Sequence, residues 1–149
     1  MTKTIMLPGA TDGIGLETAK RLAADGHHLL LHGRSEAKLD ALSNTIAMVP
    51  GAAAIDTYRA DLSSMHDVIA MADAVTAKHD KLDVLINNAG VFETPHPITS
   101  TGDDIRFVVN TVAPYLLTQK LLPLMPSDSR IVNLSSAAQA PVELNALQN

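Results

Sequence analysis

The chain has 149 residues, 46% hydrophobic and 18% charged, which excludes an intrinsically disordered chain and leaves enough length to bury one core. Its net charge of -5 argues against binding to nucleic-acid phosphates, which non-specifically requires a basic face, so no nucleic acid is expected as a partner. The absence of cysteine excludes disulfides, thiolate metal sites and cysteine nucleophiles.

The N-terminus leads into a short apolar run that ends at Pro8, too short for a signal-peptide core or a membrane span, and a cytoplasmic protein is the default expectation. Ile5, Met6 and Leu7 read as a buried strand. The stretch Pro8-Gly9-Ala10-Thr11-Asp12-Gly13-Ile14-Gly15 follows, and a helical pattern over 16–25 comes after it, with Leu16, Ala19, Leu22 and Ala23 on one face. A glycine-rich turn between a strand and a helix suits a phosphate: bare backbone permits close approach, and the helix start offers unpaired N–H donors. The spacing, G-x-x-x-G-x-G, is neither the G-x-G-x-x-G fingerprint nor a Walker loop. Taken alone, the stretch can also be read as a tight turn without a ligand.

Leu29, Leu30 and Leu31 predict a second strand, ended by Gly33. Ser35 is placed to cap a helix whose apolar face is Leu39, Leu42, Ile46 and Val49. A third strand is expected over 52–58 and a third helix over 63–79, with Ser64 and Asp67 spaced as a capping box. A fourth strand over 82–86 ends at Asn87-Asn88-Ala89-Gly90. A loop with Pro95 and Pro97 leads to a long helix over about 103–122, and a fifth strand is expected over 130–134. Residues 92–96 read as a surface loop, with contact to a substrate as the alternative. Pro114 inside the long helix predicts a kink, either a plain distortion or a turn of a backbone carbonyl toward a site.

Non-alternating apolar strands alternating with helices predict an α/β fold: a doubly wound parallel sheet, incomplete at its C-terminal side, forming one domain over 1–149. Ligands of such sheets bind outside the carboxyl ends of the strands, where the strand order reverses. The small and polar residues collect at those ends: the glycine loop, Gly33-Arg34, Asp61, Asn87 to Gly90, and Ser135-Ser136.

In this order and spacing, Gly9-x-x-x-Gly13-Ile14-Gly15, Asp61-Leu62, Asn87-Asn88-Ala89-Gly90, Val109-Asn110-Thr111 and the run from Arg130 to Ser136 resemble the short-chain dehydrogenase/reductase family, non-extended branch. The resemblance implies a Rossmann-type domain and reversible hydride transfer between a nicotinamide dinucleotide and a small alcohol or carbonyl substrate. It implies that Gly9, Gly13, Ile14 and Gly15 cradle the pyrophosphate, with Thr11 and Asp12 in the same binding loop. Asp61 and Leu62 would face the adenine, and Asn88, Ala89 and Gly90 the ribose. Asp61 is also placed to cap the following helix, and the Asn-Asn pair to form a turn bonded to backbone.

A carboxylate after strand two favours NAD, and a cation there favours a 2′-phosphate. Arg34 occupies that place, so NADP(H) is expected over NAD(H), with Asp12 arguing the other way. Pro8 stands where the family usually has Thr, which removes a loop donor. By motif position Ser136 is the hydroxyl that binds the substrate oxygen, with Ser135 as alternative, and Asn110 is the family's catalytic-site Asn.

The family's Tyr-x-x-x-Lys pair is not found: Tyr58 falls in strand three, and Tyr115 is followed four residues on by Gln119. The chain is therefore expected to be the N-terminal part of a longer reductase, which would be a homo-oligomer. The alternative is a non-catalytic dinucleotide-binding sensor or interaction protein. The histidines show no metal-ligand spacing, and no metal is expected.

Overall fold

A computed structural model describes residues 1–137. Five parallel strands, β1 (Thr4–Leu7), β2 (His28–Gly33), β3 (Ile55–Arg59), β4 (Val84–Asn87) and β5 (Arg130–Asn133), form one sheet in the order β3-β2-β1-β4-β5. The chain moves outward from β1 through β2 to β3, then returns to the other side of β1 for β4. The order therefore reverses between β1 and β4.

Side-chain alternation along the strands divides the core in two. Ile5, Leu7, Leu29 and Leu31 face helices α1 (Gly13–Ala24) and α2 (Glu36–Ala47), through Ala19, Ala23, Leu42 and Ile46. Met6, Leu30 and Leu85 face the other side, against α3 (Met65–Lys78) through Val68, Met71 and Val75, and against α5 (Ala113–Leu121) through Leu117 and Leu121. The sheet is thus wound on both faces, as the sequence predicts.

The expected caps form. The Ser35 hydroxyl accepts from the Lys38 N–H at 3.4 Å, and that of Ser64 accepts from the Asp67 N–H at 3.3 Å. Asp67 does not close a reciprocal box: its carboxylate accepts from the Ser64 hydroxyl at 3.2 Å and from the Asp61 N–H at 3.1 Å, while the Ser64 N–H goes to the Asp61 carbonyl.

Two expectations need correction. The third strand begins at Ile55 rather than Ala52, because pairing with β2 starts at Leu29 opposite Ile55. The long helix is not continuous over 103–122. Asp104 caps a short α4 (Ile105–Phe107), a π turn occupies Val108–Val112, and α5 follows. Pro114 has no N–H to give the Asn110 carbonyl four residues back, and the backbone widens there, with the Ala113 N–H bonded to the Val108 carbonyl five residues back. Among the described residues, no helix is long and apolar enough to cross a membrane.

Candidate functional site

At the carboxyl ends of the strands, beside the reversal between β1 and β4, lies a cleft of about 350 Å³. The loop after β1 forms its floor. Gly9 has φ of 75° and packs so closely on the loop after β4 that a Cβ there would lie 2.8 Å from the Ala89 Cα. Gly15, in the first turn of α1, has still less room: a Cβ would meet the Gly9 carbonyl oxygen at 2.0 Å. Both positions exclude any side chain, so the loop folds flat against the helix start. No side chain caps α1, and its first-turn N–H groups keep their donor capacity toward the cleft. An anion, a phosphate above all, is the ligand such a cradle suits.

Two side chains hold the loop in this shape. Asn88 Nδ2 donates to the Pro8 carbonyl at 3.1 Å and to the Gly9 carbonyl at 3.0 Å. The Asn88 amide is thus engaged with backbone. The second is His32, buried at the end of β2 and facing the cleft. Its Nδ1 accepts from the Gly9 N–H at 3.1 Å, and its Nε2 donates to the Ala60 carbonyl at 3.0 Å. Burial pushes the imidazole below its usual value, against the pull of the Ala60 carbonyl, and Arg34 adds to the lowering. The neutral ring, with one lone pair and one N–H, satisfies both contacts.

A basic rim borders the cleft beyond β2. Arg34 lines it, and the Arg59 Nε donates to the Arg34 carbonyl at 3.3 Å, which brings a second guanidinium alongside. Lys38, in the first turn of α2, reaches across to Asp12 at 2.8 Å. The carboxylate of the glycine loop therefore sits beside a cation that lies 26 residues away in sequence.

On the other side, Asp61 and Leu62 line the wall after β3, and the loop after β4 supplies Asn88, Ala89, Gly90 and Val91. The Asp61 carboxylate accepts from both the N–H and the hydroxyl of Ser63, at 2.9 and 2.7 Å, which makes it a turn former at the entry to α3. Asn110, in the π turn, clamps Val91 at both ends: its Oδ1 accepts from the Val91 N–H at 2.7 Å, and its Nδ2 donates to the Val91 carbonyl at 2.9 Å. Ile105 and Val109 from the same region close the wall.

A family model described as short chain dehydrogenase matches residues 3–146. This chain belongs to the short-chain dehydrogenase family. It is 36% identical to human retinol dehydrogenase 13 over 138 residues, covering 91% of this chain and 42% of that protein. Among solved structures it matches a metagenomic short-chain oxidoreductase in complex with NADP, with a TM-score of 0.79 and 33% identity over 94% of this chain and 64% of the other. It also matches a short-chain dehydrogenase from Sphingobium yanoikuyae in complex with NADPH, with a TM-score of 0.69 and 31% identity, covering 81% of this chain and 47% of that one. The chain spans less than half the length of the human relative.

In this member of the family the cleft gathers Gly9, Thr11, Asp12, Ile14, Gly15, Arg34, Asp61, Leu62, Asn88, Ala89 and Gly90 from four strand ends. Gly13 opens α1 beside them. Asn110 reaches the cleft only through Val91. Ser135 and Ser136 lie exposed after β5, whose pairing continues to a bond from the Leu134 N–H to the Asn87 carbonyl at 3.1 Å. Neither described tyrosine lines the cleft: the Tyr58 hydroxyl bonds His79, and Tyr115 is exposed on α5.

Sequence reasoning missed His32, Lys38 and Val109. The first carried a weak signal, a histidine in an otherwise apolar strand ending at Gly33. The other two follow only from the packing of α2 and the π turn.

Proposed function

We propose that the cleft holds NADP(H), and that the chain serves reversible hydride transfer between this cofactor and a small alcohol or carbonyl substrate. The residues fit the group: the cradle over Gly9 and Gly15 admits nothing larger than backbone, and the uncapped start of α1 supplies donors for the pyrophosphate. When bound, the nicotinamide supplies or accepts the hydride. Gly9, Gly13, Ile14 and Gly15, with Thr11 and Asp12, hold the pyrophosphate. Asp61 and Leu62 flank the adenine, and Asn88, Ala89 and Gly90 approach the ribose with backbone while the Asn88 amide keeps the loop in shape. Asn110 acts as a positioning residue, holding the loop after β4 through Val91. The Ser136 hydroxyl donates to the substrate oxygen, on which negative charge grows during reduction.

The observation that carries the NADP(H) assignment is the basic rim. Arg34 borders the cleft at the end of β2, and Lys38 offsets Asp12, the loop carboxylate that would otherwise repel a 2′-phosphate. The NADP and NADPH complexes of the two solved relatives support the same choice.

Arg34→Asp tests it. A charge-assisted hydrogen bond is worth about 1.5–3 kcal/mol, so the ratio of NADPH to NADH affinity should fall by roughly tenfold or more. Fluorescence titration with each cofactor reads the ratio, and unchanged selectivity in the variant contradicts the assignment.

A further inference from the structure

At the edge of the sheet opposite the cleft, three residues distant in sequence converge. His28 opens β2, Asp56 is the second residue of β3, and His79 follows the last residue of α3. Their ligand atoms all lie within 4.8 Å of one another. One carboxylate oxygen, Asp56 Oδ2, faces both imidazoles, 2.9 Å from His28 Nε2 and 3.5 Å from His79 Nε2. The rings meet edge to face, with centroids 5.3 Å apart. None of the three side chains is more than a quarter exposed, so this is a half-buried pocket of donors rather than a solvated acidic patch.

We propose that His28, Asp56 and His79 bind a divalent transition-metal ion of the zinc class. The donor set is two imidazole nitrogens and a carboxylate oxygen, the borderline ligands that zinc, cobalt and nickel prefer. Bonds of about 2.0–2.2 Å in a tetrahedral site place donor atoms roughly 3.3–3.5 Å apart. The His79–Asp56 spacing already has that value, and the His28–Asp56 pair needs to open by about half an ångström.

The two imidazole nitrogens are already hydrogen-bonded, and an ion would replace those bonds. The Tyr58 hydroxyl lies 2.8 Å from His79 Nε2, within hydrogen-bond distance. An O–H donated there occupies the one lone pair that faces Asp56, so an ion bound at this nitrogen displaces the phenol, as it displaces the proton between His28 Nε2 and Asp56 Oδ2. Lys78 pairs with Asp56 through the other oxygen, Oδ1, and so competes with an ion without blocking Oδ2.

An ion held here would tie β2, β3 and the end of α3 together at the edge remote from the cleft. Co²⁺ serves as a visible probe of the full chain. The expected result is one equivalent bound with the intense visible absorption of a four-coordinate ion, displaced by Zn²⁺. His28→Gln and His79→Gln should each weaken it by at least about tenfold. His66→Gln, at an exposed histidine in the first turn of α3, should leave it unchanged. Lys78→Gln should tighten binding, since it removes the competing cation and no ligand. Should either ligand variant fail to fold, Lys78→Gln carries the test: Co²⁺ affinity equal to or below that of the wild type contradicts the site. A spectrum that stays that of the hydrated ion, or equal binding in folded His28→Gln and His79→Gln, contradicts it as well.

Discussion

β2 and β5 are built from similar residues and end in different surroundings. Leu29, Leu30 and Leu31 in β2 are wholly buried, whereas Ile131 and Val132 in β5 keep 39% and 44% of their surface exposed. Both are continuous apolar runs, the pattern of a strand covered on both faces. β2 lies between β1 and β3, with α1 and α2 on one face and α3 on the other. Among the described residues β5 pairs with β4 alone, and all four of its residues are exposed. An apolar run thus states that a strand needs cover, but other elements decide whether it has it. The cleft sits mainly in the covered half, where the loops after β1, β2 and β3 are anchored to rigid strands. Ser135 and Ser136 sit on the exposed half.

Substitutions can break or sharpen this contrast. The largest effect is expected in the covered half: Leu30→Ala should destabilise the full chain by about 2–5 kcal/mol, measured by urea unfolding, because its neighbours leave a cavity that cannot collapse freely. A loss below about 1 kcal/mol would mean that β2 is less tightly enclosed than its burial indicates. Next, Gly15→Ala should weaken NADPH binding by at least about tenfold, since the new methyl forces the Gly9 carbonyl out of place. Unchanged affinity would mean that the loop geometry is not what the ligand reads.

A pH effect follows from His32. Its folded-state pKa lies below the ordinary 6.5, so the folded state binds fewer protons than the unfolded one. The contribution is fully present above pH 6.5 and is lost as the pH falls from there through the lowered value. Thermal scans between pH 8 and 5 should show that decline, and His32→Gln, whose amide can still donate and accept, should flatten part of it. An identical profile in the variant would remove His32 from the account. The smallest effect is expected at the open edge, where Val132→Ala should cost no more than about 0.5 kcal/mol. A core-sized loss would show β5 to be covered in solution.

Much of this was legible in the residues. The strand and helix order, the glycine loop and the gathering of polar residues at the strand ends follow from periodicity and from the rule for parallel sheets. Ser35 and Ser64 announced their helices because capping is local. What stayed hidden depends on contacts between distant segments. Lys38 meets Asp12 only because α2 packs beside α1, and His28, Asp56 and His79 converge through the register of β2 and β3 and the length of α3. Pro114 signalled a break, but not that the backbone would widen into a π turn rather than kink. That Asn88 and Asp61 spend side-chain atoms on backbone was among the readings the residues allowed, but the Asn88 partners, Pro8 and Gly9, lie about 80 residues away and were not.

Titration of the wild-type full chain with NADPH and with NADH, followed by nicotinamide fluorescence, reads directly whether the cleft takes the cofactor. One NADPH should bind saturably per chain, more tightly than NADH because Arg34 and Lys38 meet the 2′-phosphate. Absence of saturable binding of either cofactor up to millimolar concentration would contradict the assignment of the cleft.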